Sequence, residues 1–127
     1  MRGTVARFKI APQVVDGSGL SRNDRTTPRQ IVRLLSGMAG TSSADAFDAS
    51  LPVAGRTGTL YNRMRRTAAQ DRCHAKTGTL HDVSTLAGYC TTAAGRRIAF
   101  AFLMNSTTVW RAHPLQDAMT AALARLD

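Results

Sequence analysis

Lys76-Thr77-Gly78-Thr79 brings together the residue types best suited to chemistry in this chain. Of its seventeen basic residues, only Lys9 and Lys76 are lysine; the other fifteen are arginine. Position 76 therefore holds a compact, strongly hydrated ammonium where the chain elsewhere uses a planar guanidinium. Thr77 and Thr79 each add a hydroxyl that can donate and accept, and Gly78 adds no side chain. That set is suited to holding an anionic group. Other reactive types are sparse. The three histidines, His74, His81 and His113, and the two cysteines, Cys73 and Cys90, fit no zinc-ligand spacing, so no metal and no cofactor are expected. His74, beside Ala75-Lys76, reads as a strand-edge histidine rather than a general base.

A hairpin must position these residues. Residues 72–79 read as a strand, His81-Asp82 as a short turn, and Val83 to Thr92 as the returning strand, carrying Val83, Leu86, Tyr89 and Cys90. Ala93-Ala94-Gly95-Arg96-Arg97 reads as a second hairpin loop. It leads into Ile98–Met104, an apolar run of the kind found in strands buried on both faces. A turn centred on His81-Asp82 sets Cys73 opposite Cys90, with Cβ atoms within about 4.5–5.5 Å. That is near disulfide range; the plain alternative is two reduced, half-buried thiols. A bridge closing so short a loop contributes about 3 kcal/mol in the chain-entropy model and points to an exported history.

Helices flank the hairpins. Thr27-Pro28-Arg29-Gln30 is a capping-box pattern with proline at the first helical position. Ile31, Leu34, Leu35 and Met38 then follow at helical spacing, with Gly37 and Gly40 near the stop. A last helix is expected from Pro114 to about Leu126, with Leu115, Met119, Ala122, Leu123 and Leu126 on its inner face and Trp110 packing it onto the sheet. Residues 42–49 suit a short helix; residues 63–72 fit either a helix or an approach loop. The fold class is α+β, an antiparallel sheet with packed helices.

Several motifs in one order carry a resemblance. They are Asp16-Gly17-Ser18-Gly19-Leu20-Ser21-Arg22, Leu51-Pro52-Val53-Ala54-Gly55, Gly58-Thr59-Leu60, Ala75-Lys76-Thr77-Gly78-Thr79-Leu80 and Leu86-Ala87-Gly88-Tyr89. From about Val14 to the last helix the chain resembles the C-terminal part of the D-alanyl-D-alanine carboxypeptidase/endopeptidase family of low-molecular-mass, class C penicillin-binding proteins. Residues 1–13 form an unassigned N-terminal segment. Residues 14–127 would be the C-terminal part of a penicillin-binding, β-lactamase-like domain, in which K-T-G is the third signature beside S-x-x-K and S-D-N.

The resemblance implies acyl transfer at peptidoglycan stem peptides ending in D-Ala-D-Ala, with β-lactams as analogues. A serine attacks the terminal amide, an acyl-enzyme forms, and water releases the shortened peptide. On that basis Lys76 offers its ammonium to the substrate's free carboxylate, and Thr77 and Thr79 offer hydroxyls to the same group. Gly78 leaves room for the substrate backbone to lie along the strand edge. The Thr79 N–H serves as the strand-side donor of an oxyanion hole.

One departure is decisive. Three residues before Lys9 stands Ala6, and three before Lys76 stands Cys73, so the chain contains no S-x-x-K. No catalytic residue is assigned. Ser21-Arg22-Asn23 satisfies S-x-N as a string, but it sits in a stretch that follows the family's S-D-N motif; Asp16–Gly19 reads as a tight turn, and so does Arg56–Leu60. The expected partner is the missing N-terminal portion of the same domain, and the chain alone is expected to be inactive. The alternatives are a non-catalytic peptidoglycan-binding or interaction module, or a β-lactamase or esterase relative.

The net charge of +9 raises nucleic-acid binding as a rival. Aromatic residues make up 6% of the chain, and no helix-turn-helix or aromatic-basic stacking pattern accompanies the arginines, so no nucleic-acid function is assigned. Attraction to anionic wall polymers or a membrane surface fits the charge better, as a bulk electrostatic effect. No apolar run of signal-peptide or transmembrane length occurs, although the family works outside the cytoplasmic membrane.

Overall fold

The computed structural model describes residues 5–127. The first four residues of the unassigned N-terminal segment, Arg2 among them, lie outside it. Gln13 and Arg25 exchange both backbone hydrogen bonds at 2.9 Å and close a loop. Within that loop the Asp16 carboxylate accepts from the Ser18 N–H at 2.9 Å and from its hydroxyl at 2.7 Å. Gly19 follows at φ +74°, a left-handed conformation that glycine adopts without cost. The expected tight turn forms.

Helix α1 spans Pro28–Ala39. Thr27 is its N-cap and accepts from the Gln30 N–H at 3.2 Å, satisfying one of the donors a helix start leaves open. The reciprocal half of the capping box does not form: the Gln30 side chain accepts from the Thr26 hydroxyl instead. The Phe8 ring packs close against Gly37, where a Cβ would come within 2.2 Å of it. Helix α2 is the short segment Ala44–Ala49. Residues 50–72 are turns, with one 3-10 turn at Gly58–Leu60, so the approach-loop reading of 63–72 holds.

Strands β1 (Cys73–Leu80), β2 (Val83–Thr91) and β3 (Arg97–Asn105) form an antiparallel sheet in the order β1-β2-β3. Leu80 pairs with Val83 across the His81-Asp82 turn, and the register carries back to Cys73 opposite Cys90. These two cysteines form a disulfide. The third strand departs from expectation. Only Phe100 within it is fully buried, so it is a half-covered strand.

Alternation along the strands assigns two faces. Cys73, Ala75, Ser84, Leu86, Cys90 and Phe100 point toward helix α3, Val109–Ala124, and the core gathers there with Ala54, Leu60, Met64, Ala69, Ala121 and Ala124. The opposite face carries His74, Lys76, Tyr89 and Arg97 and packs against α1. There the Tyr89 hydroxyl donates to the Leu35 carbonyl at 2.6 Å.

Helix α3 overturns three expectations. It begins at Val109, with Pro114 inside it. Proline lacks the N–H that would bond the Trp110 carbonyl, but Trp110 is 88% exposed, so water can serve that carbonyl. Trp110 therefore does not pack the helix onto the sheet. The buried face is Ala112, Gln116, Thr120, Ala121 and Ala124; of the expected inner residues Leu123 packs partly buried against the core, whereas Leu115, Ala122 and Leu126 are exposed. The reason is a polar contact in the core. Gln116 donates to the Ser84 hydroxyl at 3.2 Å and accepts from Arg63 at 3.1 Å. Arg63 also pairs with Asp117 at 2.6 Å, and small residues on either side let the helix approach closely.

Candidate active-site strand

Strand β1 is an edge strand whose first half is covered. The Ala75 N–H donates to the Pro52 carbonyl at 2.8 Å, and the Cys73 carbonyl accepts from the Ala54 N–H at 2.9 Å. Main-chain groups alternate sides along a strand, so the groups of Thr77 and Thr79 point to the same outer edge. Among the described residues no backbone group bonds them there. The covering segment runs antiparallel to β1 and reaches no further along it than Pro52, so the edge is open from Lys76 onward.

Lys76 is exposed. Alternation starts its side chain on the α1 face, opposite the threonines, but its flexible stem carries the ammonium round to the edge, where Nζ donates to the Thr77 carbonyl at 2.6 Å. Thr77 points to the α3 face and donates to the Thr59 hydroxyl at 2.9 Å. Thr79 is exposed and Gly78 half-buried. A Cβ on Gly78 would come within 2.5 Å of the Thr85 hydroxyl, so a larger residue there would turn the Thr85 side chain aside. The four residues thus put an ammonium, two hydroxyls and two outward backbone N–H groups along one open edge.

Two residues around this edge lacked a clear sequence signal. Thr59 belongs to a resemblance motif and to an expected turn, with no site role assigned; it reaches Thr77 because Thr57 anchors that turn, its hydroxyl accepting from the Val53 N–H at 2.8 Å. Asp48 accepts from or pairs with His74 Nδ1 at 2.9 Å and Arg97 at 2.6 Å. His74 is therefore bound to a carboxylate beside the edge. The other candidates lie apart from β1. The Ser21 hydroxyl accepts from the Asn23 N–H at 3.2 Å as a local turn, and Arg22 pairs with Asp82 at 2.8 Å. That pairing ties the Asp16–Arg22 stretch to the β1–β2 turn, and the Arg22 guanidinium holds the Asp82 carboxyl below its ordinary value.

Two concavities occur near these elements. One is lined by the N-terminal segment, including Ile10, Pro12 and Val14; the other lies among Asp48, Arg72, His74, Tyr89, Thr91 and Arg97. Neither reaches Lys76, whose edge is open rather than enclosed.

An antiparallel sheet carrying K-T-G on its edge strand, with helices on both faces, defines part of a penicillin-binding domain. The chain belongs to the D-Ala-D-Ala carboxypeptidase 3 (S13) family, whose model matches residues 10–126. It is 44% identical over 115 residues to a D-alanyl-D-alanine carboxypeptidase of Actinomadura sp. strain R39, covering 86% of this chain and 21% of that protein. It is 40% identical over 76 residues to a penicillin-sensitive carboxypeptidase A of Dictyostelium discoideum, covering 58% of this chain and 15% of that protein. Its fold matches penicillin-binding protein 4 of Haemophilus influenzae, solved with a β-lactam, at a TM-score of 0.84 and 26% identity, covering 98% of this chain and 32% of that one. The chain thus spans about a fifth of the curated relative it matches over most of its length.

Proposed function

We propose that residues 14–127 are the C-terminal part of a serine-type D-Ala-D-Ala carboxypeptidase domain and supply its substrate-binding strand, Lys76-Thr77-Gly78-Thr79, to a stem peptide ending in D-Ala-D-Ala. The observation that carries this reading is the open half of β1, where the Lys76 ammonium and the outward groups of Thr77 and Thr79 share one edge. A peptide lying antiparallel along that edge adds a strand to the sheet. Its terminal carboxylate meets the ammonium and the threonine hydroxyls, and its scissile carbonyl lies by the Thr79 N–H. Family membership and the β-lactam bound to the H. influenzae relative support the same ligand class.

The chain binds without reacting, because residues 1–127 contain no S-x-x-K serine. The nucleophile comes from another part of the domain. The disulfide fits an oxidising, extracytoplasmic setting, and among the described residues no helix is long and apolar enough to cross a membrane.

Two measurements test this. Titrated with an acylated tripeptide ending in D-Ala-D-Ala, the chain is expected to bind saturably, and at least about tenfold more weakly when the peptide's carboxylate is amidated, as for loss of one charge-assisted hydrogen bond. Equal binding of acid and amide overturns the carboxylate role. A fluorescent penicillin is expected to leave the chain unlabelled on a denaturing gel; a covalent adduct refutes its inactivity.

A further inference from the structure

We propose that the chamber at the disulfide end of the sheet is a second anion site, taking a small oxyanion, either a carboxylate or a phosphate. It lies among Asp48 of α2, Arg72 and His74 on either side of Cys73, Tyr89 and Thr91 on either side of Cys90, and Arg97 at the start of β3. The register places His74 opposite Tyr89 and Thr91 opposite Arg97, so these side chains share the face turned away from α3. The disulfide lies between the two flanked positions and fixes their spacing.

The charges do not balance. Two arginines meet one acid, and that acid is used up: Asp48 gives one oxygen to the His74 ring at 2.9 Å and the other to Arg97 at 2.6 Å. Among the described residues Arg72 pairs with no carboxylate. Arg97 is held in place before any ligand arrives. Its guanidinium lies over the Tyr89 ring at 4.2 Å; the hydroxyl of that ring is tied to Leu35, and Phe47 meets it edge-on at 6.4 Å. The unspent donors are the Arg72 guanidinium, the remaining N–H groups of Arg97 and the Thr91 hydroxyl. A planar fork of this kind matches carboxylate or phosphate oxygens. The volume, about 90 Å³, matches one such group.

This site stands apart from the reading of Lys76. His74 and Lys76 are two residues apart on one face, but the chamber does not include Lys76, and the two anion-holding regions are separable by mutation. The test is amide and side-chain NMR of the 127-residue chain titrated with inorganic phosphate and, separately, acetate, at constant ionic strength set with sodium chloride. Saturable shifts are expected at the Arg72 and Arg97 side-chain N–H groups and at the Thr91 amide. Arg72→Gln should weaken binding at least tenfold, Arg72→Lys should weaken it less, and Lys76→Ala should leave it unchanged. Tighter binding of phosphate identifies a phosphate site, and equal or tighter binding of acetate a carboxylate site. Shifts that rise linearly without saturating, or Arg72→Gln binding as the parent does, overturn the proposal. Loss on Lys76→Ala would also overturn it, by merging the chamber with the strand edge.

Discussion

The two halves of β1 differ in how they are held. From Cys73 to Ala75 the strand is fixed on every side: β2 and the disulfide on one edge, Pro52 and Ala54 on the other, and the core beneath. From Lys76 to Thr79 it keeps β2 as its one backbone partner, and its outer edge is bare. A single strand thus joins an anchor to an open template. An unpaired edge is ordinarily a hazard; here the sealed half keeps a short open stretch in register and leaves its donors available. Rigidity is concentrated next to the binding edge rather than within it.

That contrast predicts that changes to the sealed half cost stability, whereas changes to the open half cost binding. The largest effect is expected from the double variant Cys73→Ala, Cys90→Ala, which releases a loop spanning 17 residues and should lower unfolding free energy by about 3 kcal/mol in urea titration. Gly88→Ala comes next. Its Cβ would sit 2.0 Å from the His74 carbonyl and 2.6 Å from the Ala75 Cα, and relief needs backbone movement, at about 2 kcal/mol. Lys76→Ala should change stability by less than about 0.5 kcal/mol, as for an exposed side chain, while weakening the D-Ala-D-Ala peptide by about tenfold or more. If Lys76→Ala unfolds the chain, or the cysteine variant is as stable as the parent, the division between the halves fails.

A finer test uses pH. Burial, and then the nearby Arg63 charge, hold His113 below its ordinary value of 6.5, and Asp117 opposes them only in part. The unfolded chain therefore binds this proton more readily than the folded one. The stabilisation is full above 6.5 and is lost as pH falls from there through the depressed folded value. His113→Gln should flatten that part of the stability curve. The carboxyls of Asp16, Asp71 and Asp82, held low by Ser18, Arg56 and Arg22, lose their contribution only as pH falls below about 3.8. The two windows separate in an acid titration followed by circular dichroism.

The hairpin, the facing cysteines, the capped start of α1 and the family itself were legible because each rests on local rules: a two-residue turn, a cap spacing, motifs in a fixed order. The last helix was misread for an equally local reason. Leu115, Met119, Ala122 and Leu126 recur at helical spacing, yet Gln116 and Thr120 lie inward. The pattern of apolar residues records which side chains dislike water, not which buried partner awaits them, and Gln116 is buried because Ser84 and Arg63 meet it there. The edge of β1 divides in the same way. Sequence chose its side chains and its register, since both follow from neighbours along the chain. Only the folded molecule decided that Pro52 and Ala54 would close one half and leave the other open, that Thr59 would reach Thr77, and that Asp48 would stand between His74 and Arg97. Those contacts join residues 18 to 49 positions apart, and no local preference fixes which distant segments arrive together.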